Sequence, residues 1–310
     1  MIERRPSGDG TRISRRALLA GAAVTALAGC TWQERDYGSP LPTTPPEAPK
    51  AAATVTLDLS DLPPAKYGVW GQLNGVTVAH EPEQRMRLCS TMKLPLVGFV
   101  LDRAYLGSMQ DSAETVDLAH QLSWSDGDLI GHSPFTRADS DFTATVAELC
   151  AAAARASDNT ATNLLIDYSG GLEALTRYVR GLGDETTRFD RYETAMNELD
   201  GELDTTSAMA FARLALSIYQ SLPASARSDF VAWLPDGQDG RRIAAAAPSS
   251  VPLLHKTGSS GDGAFNDVAI LLPPNDSPGS LAIYTDTPGS ESDEVVSEIA
   301  RRAFAEFGVG

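Results

Sequence analysis

The spacing of apolar and polar positions changes its period twice along the chain. Tyr67 to Leu73 and Val76 to His80 are short strand-like runs separated by Asn74 and Gly75. An Asn-Gly pair between two such runs is a strong hairpin signal, because both residues accept the positive φ that a tight turn demands. From Ser90 to about Ser221 the apolar spacing shifts to three and four, the mark of helices. Thr145 and Glu148 form a T-x-x-E capping box ahead of the apolar stripe Val146, Leu149, Cys150 and Ala153, and another helix is predicted from Thr206 to Ser221. Strand signals return at Val251 to Ser259, Ala264 to Leu272 and Ser280 to Asp286, and Asp293 to Phe307 reads as an amphipathic helix. Two strands before the helical stretch and three after it imply one sheet interrupted by a helical insertion. A body of two lobes usually places its site in the cleft between them.

The N-terminus has a different pattern. Ser14, Arg15 and Arg16 precede an uncharged run from Ala17 to Gly29, too short to span a bilayer stably, which reads as an export signal. The arginine pair resembles a twin-arginine signal, and Leu27, Ala28, Gly29, Cys30 resemble a bacterial lipobox whose cysteine is acylated. Residues 1–30 are therefore assigned as export signal with lipobox. Pro40, Pro42, Pro45, Pro46 and Pro49 then make 31–50 an extended tether with no core to bury.

The chain has 310 residues and a net charge of −16, and its pI of about 4.6 argues against phosphate backbones and anionic lipid surfaces as partners. Removing residues 1–29, with five arginines against Glu3 and Asp9, leaves an exported part at −19. With three cysteines, one of them Cys30, a disulfide framework is excluded, and Cys150 on its apolar stripe reads as a buried thiol. The histidines at 80, 120, 132 and 255 show no metal-binding spacing, so neither a metal nor a cofactor is expected.

Three short motifs carry the candidate chemistry. In Ser90-Thr91-Met92-Lys93 a helix start would put serine and lysine on one face, where the amine can take or relay the hydroxyl proton. Pro95 suits a first helical turn, and the positive end of the helix would depress the lysine pKa. Ser157-Asp158-Asn159 follows the capped helix, and Lys256-Thr257-Gly258 lies on a predicted strand, where a glycine usually marks close approach of another backbone. Each is weak alone; in this order they coincide by chance about once in a thousand sequences.

Together they resemble the class A serine β-lactamases and the related penicillin-binding proteins, over about residues 65–308. Arg191, Glu193 and Asn197 resemble the R-x-E-x-x-x-N segment of the class A Ω-loop, which penicillin-binding transpeptidases lack. The resemblance implies an α+β fold, an α/β sandwich plus a helical lobe. A five-stranded antiparallel sheet flanked by helices would carry an all-helical insertion, with the active site between the lobes. The β-lactamase-like domain is then 51–310, its sheet lobe about 51–88 and 240–310, and its helical lobe about 89–239.

The resemblance also implies roles. Ser90 attacks a β-lactam carbonyl, and Lys93, or Glu193 through water, takes its proton. Backbone N–H groups of Ser90 and Ser259 form the oxyanion hole. Ser157 passes a proton to the departing nitrogen, and Asn159 holds Lys93 and the substrate amide. Lys256, Thr257 and Gly258 line the substrate carboxylate site. Glu193 and Asn197 hold the water that opens the acyl-enzyme, and Arg191 with Asp204 pins the base of the loop. Where many relatives have a carboxylate-binding arginine this chain has Phe265, so that role passes to Arg242, with a surface arginine beside Arg241 as the alternative. Further departures are Thr194, Met196, an Ω-loop about two residues short, and Pro63 and Pro64, which argue against the family's N-terminal helix. Cys89 precedes the nucleophile without a bridging partner near Ser260.

The expected protein is an exported, monomeric β-lactamase acting on β-lactam small molecules, attached to the membrane through a lipid anchor only and binding no nucleic acid. The alternatives are a penicillin-binding or DD-peptidase-like acyl-enzyme protein acting on peptidoglycan stem peptides, and a non-catalytic envelope lipoprotein.

Overall fold

A computed structural model describes residues 53–105, 115–238, 240–286 and 293–309, all within the unit Pro49–Gly310. The export signal, lipobox and tether assigned above lie outside the described residues. Strands β1 (Ala53–Thr56), β2 (Lys66–Leu73), β3 (Val76–His80), β8 (Leu253–Ser259), β9 (Phe265–Leu271) and β10 (Gly279–Asp286) form one sheet in the order β1-β3-β2-β10-β9-β8. The β2–β3 hairpin turns on Asn74 and Gly75, both at positive φ, 52° and 76°. The expectation of five antiparallel strands is corrected: there are six, and β1 pairs parallel to β3, Ala53 opposite Val76. Four residues, Ala-Thr-Val-Thr, are too short a run for alternation to stand out beside a proline-rich segment. No helix forms at 57–65, as the prolines argue, and Tyr67 OH instead donates to Pro63 O at 2.5 Å.

Between β3 and β8 run β4 (Met86–Arg87), α1 (Lys93–Tyr105), β5 (Gln121–Ser123), α2 (Pro134–Ala138), β6 (Thr143–Thr145), α3 (Val146–Arg155), α4 (Asn159–Tyr168), α5 (Gly171–Gly181), β7 (Thr205–Thr206), α6 (Ala208–Ser221), α7 (Ala224–Trp233) and α8 (Ile243–Ala246). Helix α9 (Asp293–Glu306) closes the described chain. The predicted capping box forms: Glu148 N donates to Thr145 Oγ1 at 3.2 Å and Thr145 N to Glu148 Oε2 at 2.8 Å. The helix predicted from Thr206 starts two residues later, because Ser207 caps it and Thr205–Thr206 pairs with β4.

The sheet separates two apolar cores, and the period of two decides which residue enters which. Val69, Leu253, Ala269 and Leu281 face Val296, Ile299, Ala303 and Phe304 of α9. Their neighbours Trp70, Leu254, Ile270 and Ala282 face the helical lobe, where Val97, Val100 and Leu101 of α1 are fully buried. At about 1.5–3 kcal/mol for each large buried side chain, this burial is the main force seating α1 against the sheet. Gly98 sets how close α1 comes to α6, since a Cβ there would lie 2.5 Å from Ile218 Cγ2. Strand β8 is a sheet edge, and the turn that precedes α1 covers it.

Candidate active site

Cys89–Met92 forms a single tight turn that runs directly into α1. Thr91 Oγ1 donates to Leu88 O at 2.6 Å and lies 3.0 Å from Tyr284 OH, which pins the turn to β10. Pro95 sits in the first turn of α1, where a missing N–H costs nothing. Cys89 and Cys150 are both free and buried, and burial pushes the Cys89 thiol up to about 12.

Lys93 opens α1 with its side chain wholly out of solvent. Its Nζ faces five oxygens: Asn159 Oδ1 at 2.6 Å, Glu193 Oε1 at 2.8 Å, Ser90 Oγ at 2.9 Å, Ser157 O at 3.0 Å and Ser157 Oγ at 3.3 Å. An ammonium has three protons for these five partners, and a neutral amine has two and a lone pair. Burial lowers the Lys93 pKa and the Glu193 carboxylate opposes that shift.

The Ser-Asp-Asn turn is placed by its middle residue. Asp158 caps α4, accepting from Ala161 N at 2.9 Å, and also accepts from Phe135 N and Thr136 N of α2 at 2.9 and 3.0 Å. With that carboxylate saturated, Asn159 is fixed at the first position of α4, its Nδ2 donating to Gly131 O at 2.7 Å. Ser157, at φ 54°, turns both its carbonyl and its hydroxyl toward Lys93.

The segment from Arg188 to Thr206 returns on itself over α4. Arg191 Nε donates to Asp204 Oδ2 at 2.6 Å, and the other Asp204 oxygen accepts from the backbone N–H groups of Asp190 and Arg191 at 2.8 and 3.0 Å. Asn197 Nδ2 donates to Glu193 Oε2 at 2.6 Å. Met196 is buried at 1% exposure, filling the core beneath.

On the opposite wall, Lys256 Nζ donates to Ser157 Oγ at 3.2 Å and Thr257 O at 2.9 Å. Burial and the charge of Lys93 lower its pKa to about 7. A Cβ on Gly258 would meet Thr91 N at 3.0 Å and Leu88 O and Ser90 N at 3.1 Å, so the glycine allows the strand to lie against the Ser90 turn. Arg242 is not a surface residue: its side chain is 1% exposed. Its Nε donates to Asp293 Oδ1 at 2.7 Å, Nη1 to Gly258 O at 2.8 Å and Asn266 O at 2.5 Å, and Nη2 to Ser259 Oγ at 2.5 Å. The guanidinium lies 5.1 Å over the Phe265 ring, behind the end of β8, and reaches the cleft through the Ser259 hydroxyl.

The motifs thus surround one cleft of about 670 Å³ lined by Ser90, Ser157, Asn159, Asn197, Lys256, Thr257, Gly258 and Ser259, together with His132 and Arg241. Lys93 and Glu193 touch these residues from beneath, both side chains at 0% exposure.

The profile of the Beta-lactamase enzyme family matches residues 57–307. A β-lactamase of Bacillus licheniformis is 30% identical over 304 residues, 94% of either chain. The carbapenem-hydrolyzing β-lactamase KPC of Klebsiella oxytoca is 36% identical over 245 residues, 76% of this chain and 81% of its own. Among solved structures, a class A β-lactamase from Mycobacterium abscessus superimposes with TM-score 0.71 at 30% identity, covering 79% of this chain and 95% of that one. A β-lactamase from Burkholderia vietnamiensis gives TM-score 0.71 at 35% identity, covering 78% and 91%. The chain belongs to the class A serine β-lactamases.

For this β-lactamase, sequence reasoning missed several residues that place the site. Asn163 grips the backbone of Glu193 from both sides, its Nδ2 donating to Glu193 O and its Oδ1 accepting from Glu193 N, each at 3.0 Å. Asp167 Oδ1 accepts from Tyr192 OH at 2.6 Å. With Asn159 these form a polar stripe at i, i+4 and i+8 on α4, and that spacing was the available signal. Asn266 Nδ2 donates to Arg87 O at 2.8 Å, tying β9 to the chain just before Ser90. Substituting Gly258→Ala should push the Ser90 turn by tenths of an ångström and slow acylation by about tenfold or more while the fold survives, measured by stopped-flow reaction with a chromogenic β-lactam.

Proposed function

We propose that the protein hydrolyses the amide bond of β-lactams through an acyl-enzyme on Ser90, which water activated by Glu193 then opens. The observation that carries this reading is the buried Lys93, within 2.9 Å of Ser90 Oγ and 2.8 Å of Glu193 Oε1. Lys93 Nζ is in direct reach of the hydroxyl proton, and burial favours its neutral, basic form. As Ser90 Oγ bonds the carbonyl carbon, the Ser90 and Ser259 N–H groups take the developing oxyanion. Ser157 Oγ, 3.3 Å from Lys93 Nζ and 3.2 Å from Lys256 Nζ, gives its proton to the ring nitrogen as the C–N bond breaks and is reprotonated from a lysine.

Lys256 and Thr257 take the substrate carboxylate, and Arg242 contributes through Ser259 Oγ. Asn159 holds Lys93 on one side and the substrate amide on the other. For deacylation, Asn197 Oδ1 has no hydrogen-bond partner among the described residues, so with the Glu193 carboxylate it offers a water two acceptors. Glu193 takes one proton of that water as its oxygen attacks the ester carbon, and Ser90 Oγ leaves with a proton returned through Lys93. A penicillin-binding protein without turnover is disfavoured, because Asn163 and Asp204 hold Glu193 in place despite Thr194 and Met196.

We also propose that the enzyme is exported and lipid-anchored at Cys30. The paired arginines, the uncharged run and the small residues before Cys30 support this reading. Cys30→Ser should abolish labelling by a radioactive fatty acid and release activity from the membrane fraction; unchanged labelling would refute the anchor. Glu193→Ala should slow deacylation by about 10²- to 10⁴-fold and leave an adduct on Ser90 in intact-mass spectra after mixing with a penicillin. Free-enzyme turnover should also depend on Lys256. Its lowered pKa of about 7 means that it is charged below that pH and loses its charge as pH rises through it. The measured kcat/KM for an anionic β-lactam should therefore fall by about tenfold between pH 6 and pH 9, the loss of one charge-assisted contact.

A further inference from the structure

Arg87 belongs to none of the motifs, yet its guanidinium joins both sides of the cleft. Its side chain is 3% exposed. Nη1 donates to Asp262 Oδ1 at 2.6 Å and to Asn197 O at 3.4 Å, and Nη2 donates to Asp286 Oδ1 at 3.2 Å. Asp262 sits in the tip between β8 and β9, where Ser260 Oγ also donates to its Oδ1 at 2.5 Å. Asn197 on the Ω-loop and Ser260 with Gly261 on the tip line the same cleft. One nitrogen of Arg87 therefore holds the Ω-loop and the hairpin tip at a set separation, beneath the space between them.

We propose that Arg87 is a specificity-determining residue that fixes the gap between Asn197 and the 260–263 tip, and so limits the bulk of the substrate side chain that the cleft admits. This rests on the β-lactamase reading above. Charge supports it. One guanidinium serves two carboxylates, and without it Asp262 and Asp286 repel. Asp262, with its side chain 66% exposed against 19% for Asp286, is the partner with room to leave. A Cβ at Gly261 would meet nothing within 4 Å, so the space beside that residue of the tip is open. The fork matters as much as the charge. An arginine presents several fixed donors, whereas a lysine ammonium is a single centre that cannot span the same partners.

The test compares kcat/KM for a penicillin with a benzyl side chain and one with a bulkier dimethoxyphenyl side chain, in the wild type, Arg87→Gln, Arg87→Lys and Asp262→Ala. The expected result is a rise of about tenfold in the bulky-to-benzyl ratio for Arg87→Gln, on the scale of pocket discrimination by size. Arg87→Lys and Asp262→Ala should move the ratio the same way by less. An equal loss on both substrates would mean a merely structural role, and an unchanged ratio in Arg87→Gln and Asp262→Ala would overturn the proposal. Near-UV circular dichroism checks the fold. If Arg87→Gln does not fold, Asp262→Ala alone decides, because it removes an exposed carboxylate. A wild type inert to both penicillins would sink the β-lactamase reading and the Arg87 role with it, whereas normal wild-type turnover with unmoved ratios would sink the Arg87 role only.

Discussion

A lysine with no access to water is the constraint on which this structure depends. Leaving the Lys93 ammonium unpaired in the core would cost several kcal/mol, so its surroundings must supply oxygens at bonding distance. They come from places far apart in the chain: Ser90 from its own turn, Ser157 and Asn159 from the start of α4, and Glu193 from the Ω-loop. The remote segments that supply these acceptors are in turn fixed by partners that never touch the lysine. Asp158 seats the Ser157–Asn159 turn against α2, and Asn163 and Asp204 seat the loop that carries Glu193. Burial lowers the lysine pKa against the opposing pull of the Glu193 carboxylate, and so favours a neutral amine beside a hydroxyl.

The sheet adds what the helical lobe lacks. Because β8 is an edge strand, its end can lie directly against the Ser90 turn, and the missing side chain of Gly258 makes the approach possible. Arg242 fixes that end from behind by bonding the carbonyls of Gly258 and Asn266. The strand that presents Lys256 and Ser259 is thereby aligned with Ser90 by backbone contact, which tolerates less drift than contact through long side chains. The two cores on either face of the sheet hold this edge in register with α1 and α9.

Local sequence carried the features that depend on local physics. The Asn74-Gly75 hairpin, the Thr145–Glu148 capping box, the tight approach at Gly258 and the buried Cys150 follow from turn chemistry, capping, missing side chains and helical period, and all four are present. The three motifs and Glu193 also meet at one cleft. What escaped are interactions whose partner is remote and whose residue types are ordinary. β1 is four residues whose pairing is decided by β3, its partners 23 positions away, Ala53 opposite Val76. Asn163 looks like any polar helical position until a loop thirty residues on lays its backbone across it. For Arg242 the sequence left a surface arginine open beside the carboxylate role, because nothing local reveals that Asp293, Gly258 and Asn266 enclose it.

The net charge of −16 raises the question of how an acidic protein attracts an anionic substrate. At physiological salt the Debye length is about 8 Å, so carboxylates on the outer surface act weakly on a ligand already at the cleft. Lys256 lines it with its side chain buried, and Arg242 reaches it through the Ser259 hydroxyl. Their fields act at short range in a low dielectric, where each charge counts for far more than one on the surface. Part of that charge is conditional. Burial and Lys93 lower the Lys256 pKa to about 7, and a carboxylate placed beside it would favour the charged amine.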